Sequence, residues 1–163
     1  MKPLWALAVL IAFVIFPNDI SLHLLAAQSN AVTSGTLAPI QQRFVDYAKD
    51  LNTLLARTDP QEVETLHSLG NVAHETANKI SSIETLLLIY EGLKCGDDRT
   101  MALPIIKQES LFNAKELELS IDEVNVELSQ TQLPAAVAER AMRMKDDLRN
   151  AKATLDSLQG SLK

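Results

Sequence analysis

The chain has 163 residues, 47% of them apolar and 4% aromatic, with 15 basic against 21 acidic side chains and a formal net charge of −6. That length admits one core of the usual ~100 to 200 residues, and 5 glycines and 6 prolines without a period exclude a collagen-like or low-complexity chain. The acidic balance argues against wrapping a nucleic-acid backbone, which takes several Lys or Arg contacts to phosphate, and the ordinary apolar fraction argues against disorder.

Lys2 and Pro3 precede thirteen apolar residues, Leu4 to Phe16, and Pro17, Asn18 and Asp19 end the run. As a helix that run reaches ~20 Å, short of the ~30 Å hydrocarbon core of a bilayer. A positive start, a short apolar stretch and small residues downstream mark a secretory signal peptide, with cleavage expected after Ala27 or Ala31. The interval from Phe16 to Ala27 is long for a cleavage region and carries a second apolar patch, Leu22 to Ala27. An uncut membrane anchor or a buried N-terminal helix are therefore the alternatives. The expected organisation is a signal peptide over residues 1–27, a flexible leader over 28–37 and a helical domain over 38–163.

Export removes Trp5, Phe13 and Phe16 and leaves Phe44, Tyr47, Tyr90 and Phe112. Single-strand nucleic-acid binders stack bases on rings, and small-molecule pockets use several of them, so this scarcity weighs against both classes.

The stretch Gln28 to Leu37 is polar and small, and no structure is expected of it. Beyond it, Pro39, Pro60, Pro104 and Pro134 each precede a segment of helical periodicity, as suits a residue whose missing N–H is harmless in a first turn. The first segment carries the stripe Ile40, Phe44, Tyr47, Leu51 and Leu54. The second opens on Asp59 as N-cap, Pro60 as the first helical residue and Glu62 as the acid that reaches back to the cap. Its stripe is Val63, Leu66, Leu69, Ala73, Ala77, Ile80, Ile83, Leu87 and Tyr90, with Gly96 as the expected C-cap glycine. The third carries Ala114, Leu117, Ile121, Val124 and Leu128. The fourth is the most regular: Val137, Ala141, Met144, Leu148, Ala151, Leu155, Leu158 and Leu162 alternate steps of four and three throughout.

No period-two run or hairpin turn signal competes with these stripes. The expected fold is all-α: an antiparallel four-helix bundle of long helices, preceded by the signal peptide. Glu118 and Glu127 flank the stripe of the third segment, and Arg140, Lys145 and Lys152 that of the fourth, a charge pattern that suits neighbouring helices.

Two features have chemical potential. Cys95 is the lone cysteine of a chain expected outside the cytoplasm, so it reads as a small apolar residue at a helix end, as half of an intermolecular disulfide, or as a free reactive thiol. Its neighbours, Lys94 and Gly96 to Arg99, mix charge signs and suggest no lowered thiol pKa. His67, Asn71, His74 and Glu75 share a helix face and form a weak ligand-binding candidate. The two histidines stand ~10 Å apart along such a helix, too far for one metal ion without a second helix. Glu64 to His67 matches the Glu-x-x-His element of di-iron bundles, but a second copy is missing, and no metal site is expected.

The run Leu86, Leu87, Leu88, Ile89 is apolar on more than one face, as in a helix covered on several sides or touching another chain. Phosphate loops, nucleophile elbows, His-Glu-x-x-His and Cys-x-x-Cys are absent from the sequence. The expected function is therefore that of a periplasmic or secreted, non-enzymatic helical protein without cofactor, working through a protein partner or self-association as a scaffold or chaperone-like accessory factor. The alternatives are a small-ligand or metal-binding bundle and an outward-facing membrane-anchored protein that meets the membrane only through residues 1–27.

Overall fold

A computed structural model of the chain describes residues 32–55, 62–130 and 133–162. Four helices account for nearly all of them: α1 Ser34–Leu55, α2 Val63–Gly92, α3 Gly96–Gln130 and α4 Ala135–Ser161. There is no strand among the described residues, so the all-helical expectation holds. The signal segment, the first part of the leader and the Asp59–Pro60 helix start lie outside the described residues.

The helices form a bundle because each carries an apolar stripe that only another helix can cover. The broadest interfaces are α1 against α2 and α3 against α4, with α2 against α3 narrower and α1 against α4 slender. Seven of the eight stripe positions of the fourth segment, Val137 to Leu158, are buried, and Leu162 packs at their edge. From α2, Leu66, Leu69, Ala73, Ala77, Ile80, Ile83 and Leu87 enter the core, where they meet Leu37, Phe44 and Leu51 of α1.

Polar ties between helices fix the register. Ser34, at the start of α1, donates its N–H and hydroxyl to the two carboxylate oxygens of Glu91 near the end of α2, at 3.0 and 2.7 Å. Ser68 donates to Glu123 at 3.0 Å, and Lys79 pairs with Glu116 at 3.7 Å, so rising numbers on α2 meet falling numbers on α3. Between α1 and α4, the Tyr47 hydroxyl donates to Asp147 at 2.8 Å while Arg43 pairs with the other carboxylate oxygen at 3.2 Å. Burial, the hydrogen bond and the charge of Asp147 together push the Tyr47 phenol up to about 12.

Three boundaries differ from the sequence expectation. First, α1 starts at Ser34, inside the stretch expected to be a flexible leader, and Leu37 is only 1% exposed. The reason is tertiary: Glu91 of another helix accepts the otherwise orphaned N–H at the α1 terminus and places a carboxylate at its positive end.

Second, Pro39 and Pro104 lie inside helices and do not open them; α3 begins eight residues before Pro104. Asp97 and Asp98 favour a helix start at that earlier point, where the Arg99 N–H donates to the Cys95 carbonyl at 3.2 Å. Third, Gly96 does not cap α2. That helix ends at Gly92 with Leu93 extended beyond it, and no described glycine has a positive φ.

Candidate functional site

Two regions carry the features that bear on function: the corner joining α2 to α3, and the outer face of α3.

The corner is built by Arg99. The last carbonyls of a helix lack intrahelical partners, and the Arg99 guanidinium supplies donors to two of them: Nε to Leu93 at 2.8 Å and a terminal nitrogen to Glu91 at 3.4 Å. The same group lies 5.6 Å from the Tyr90 ring centroid, where the ring face attracts a cation. The Leu93 N–H completes the turn with bonds to the Ile89 and Tyr90 carbonyls at 3.1 and 3.2 Å. Tyr90, Gly96, Arg99, Thr100 and Leu103 line an open depression of about 290 Å³ there.

Cys95 stands at this corner as an exposed free thiol. The reading of it as a buried small apolar residue is overturned, and the disulfide and reactive-thiol readings keep their geometric basis. The main-chain N–H groups of Asp98 and then Asp97 hold the thiol below its usual value. Such donors stabilise a thiolate at a helix start, which corrects the expectation of an unperturbed cysteine. Thiolate character and accessibility are what attack on a disulfide requires.

His67, Asn71, His74 and Glu75 all lie on the exposed face of α2. The sequence placed them together correctly, but no facing helix encloses them. Glu75 pairs with Lys79 at 3.7 Å along its own helix. Among the described residues no three metal-ligating side chains converge.

The outer face of α3 holds what the segment-by-segment reading missed. The helix buries Ile106, Ser110, Asn113, Leu117, Ser120 and Val124, spaced by fours and threes, against the rest of the bundle. On its far side Ile105, Phe112, Leu119 and Val126 recur every seven residues and stay in water, at 56, 58, 63 and 48% exposure. Met101, at 74%, extends this line toward the corner. The signal was present in the sequence as a strict seven-residue spacing, but it was masked by the stronger stripe running beside it. Single exposed apolar residues are ordinary on a protein surface; these four recur once in every two turns along one line of α3, about 10.5 Å apart, with charged and polar residues between them.

No described helix is long and apolar enough to cross a membrane. Comparison of the chain with protein-family models, with curated proteins and with solved structures found no match.

Proposed function

We propose that the chain is an exported, non-enzymatic protein, an antiparallel four-helix bundle that acts through protein contact as a scaffold or chaperone-like accessory factor, in the periplasm or secreted. One observation carries the reading: the exposed line Ile105, Phe112, Leu119 and Val126 along α3. A helix that already buries one stripe and still presents one large apolar residue in every heptad on its far side offers a neighbouring helix a second row of contacts. The apolar run Leu4 to Phe16 supports export, and retention of that run would make the protein an anchored one with the bundle outward. Cys95, exposed at the head of α3, is placed to form a disulfide between chains in an oxidising compartment.

The test compares the tagged wild type with Phe112→Ser/Leu119→Ser in pull-downs from the extracytoplasmic fraction, with intact mass read on the recovered chain. The proposal predicts a partner that copurifies with the wild type alone and a mass that starts at Gln28 or Val32. The same captured proteins with both forms, or a full-length soluble chain inside the cell, overturns it. Carbonate extraction distinguishes the anchored form from the cleaved one.

A further inference from the structure

Resting on the contact reading above, we infer that the outer face of α3 takes a basic amphipathic helix: a partner segment with apolar residues at heptad spacing and Lys or Arg flanking them. The apolar line dictates the shape of the occupant. Ile105, Phe112, Leu119 and Val126 follow a period of seven, and in a straight α-helix such a row drifts by ~20° per heptad. A second helix tracks that drift by supercoiling left-handedly, whereas an extended strand diverges from it. From Ile105 to Val126 the row runs ~32 Å along the axis, the length of about six helical turns.

The flanks dictate the charge. Glu109 and Glu123 border the row on one side, Glu123 also accepting from Ser68, and Gln108, Lys115 and Asp122 border it on the other, with Glu118 one position further round toward Lys152 of α4; acids outnumber the one exposed base, Lys115. Glu116, between them in sequence, is engaged with Lys79 of α2. A second copy of α3 on this face would bring two acidic rims together, and an anionic lipid surface would meet the same repulsion. Basic flanks on a partner helix meet the acidic edge of Glu109 and Glu123 on one side and Asp122 on the other, the kind of complementarity by which flanking positions choose partners.

The experiment uses the chain as purified from the extracytoplasmic fraction and two synthetic helical peptides of four heptads, alike in their leucine seam but flanked by lysine in one and by glutamate in the other. Titration calorimetry at low salt is expected to show the lysine-flanked peptide binding at least tenfold more tightly, with the ratio shrinking as salt rises. Phe112→Ala/Leu119→Ala is expected to lower that affinity at least tenfold. Glu109→Lys/Asp122→Lys, which keeps the apolar row, is expected to reverse the preference. Equal binding of both peptides, binding of neither, or a chain that dimerises through α3 overturns the inference. A glutamate-flanked peptide bound tightly at the same row would overturn the charge assignment while leaving the contact reading standing. A chain that ignores every peptide and also captures no partner through this face would remove both.

Discussion

Leu117 and Leu119 of α3 are identical residues two positions apart, and the structure assigns them opposite roles: 0% against 63% exposure. Leu117→Ala removes a side chain enclosed by the bundle, losing both its transfer free energy and its packing, for an expected cost of about 3 to 4 kcal/mol within the usual 2 to 5. Leu119 has given up only about a third of the ~1.5 to 3 kcal/mol that full burial of a leucine is worth. Alanine returns a few tenths of a kcal/mol through its better helix propensity. The expected net cost of Leu119→Ala is therefore about 0.2 to 0.8 kcal/mol, close to the range of ordinary surface substitutions. The assay is urea unfolding followed by circular dichroism at the helical band. With a slope of about 2 kcal/mol per molar urea, Leu117→Ala lowers the midpoint by roughly 1.5 to 2 M, and Leu119→Ala moves it by about 0.1 to 0.4 M. Equal losses would mean that the outer row is covered by another part of the chain, and the argument for a free contact face would fail.

Other consequences follow from single groups. The Tyr47 phenol titrates up to about 12 against an ordinary 10.0. Its raised value favours the neutral form in the folded state, so the stability it contributes is present below pH 10 and is lost as the pH rises through 12. Ultraviolet titration should show a late tyrosine step that Tyr47→Phe abolishes, and a step unaffected by that change would refute the assignment. Alkylation of Cys95 should have its pH midpoint below 9.0 in the folded chain and move upward in denaturant; the same midpoint in both states would show that the helix start does not act on the thiol. Thr76 and Ser110 bury hydroxyls without a hydrogen-bond partner. Thr76→Val and Ser110→Ala should therefore leave stability unchanged or raise it by up to about 1 kcal/mol, and a loss of more than about 1 kcal/mol in urea unfolding would show those hydroxyls to be satisfied. Added zinc should leave the unfolding midpoint unmoved, and a rise that His67→Ala/His74→Ala removes would establish a metal site on α2 instead.

The core was legible in the sequence wherever one stripe dominated its helix. In α4 the alternation of four and three from Val137 to Leu158 named the buried side without error, because every other position there except the exposed Met142 is polar or small. Helix ends were less legible, since tertiary groups decide them. The Glu91 carboxylate that ties Ser34 stands 57 positions away in sequence, and the local mark of the start, Thr36 accepting the Thr33 N–H at 3.3 Å, sits in a small polar stretch that reads as a leader. Pro104 resembled a first-turn proline, and reading it so hid the acidic helix start at Asp97 and Asp98. The same misplacement turned Gly96 into an imagined cap and concealed why Cys95 has donors around its sulfur. Second faces fared worst. In α3 the inner and outer rows occupy adjacent numbers, Ile105 beside Ile106, and a search for one stripe per helix stops at Ala114, Leu117, Ile121, Val124 and Leu128 and leaves the outer row unread. The grouping of His67 with His74 followed correctly from helical spacing, but whether a second helix encloses them depends on packing, and the structure leaves them on an exposed face.

The most direct test of the contact face is photocrosslinking in living cells from a benzoyl-phenylalanine placed at position 119, with Ser157 on the exposed side of α4 as the control position. The account predicts an adduct from position 119 alone, joining the chain to a different polypeptide whose crosslinked peptide maps to a helix with basic flanks. Adducts only between copies of the chain, or the same products from positions 119 and 157, would contradict it.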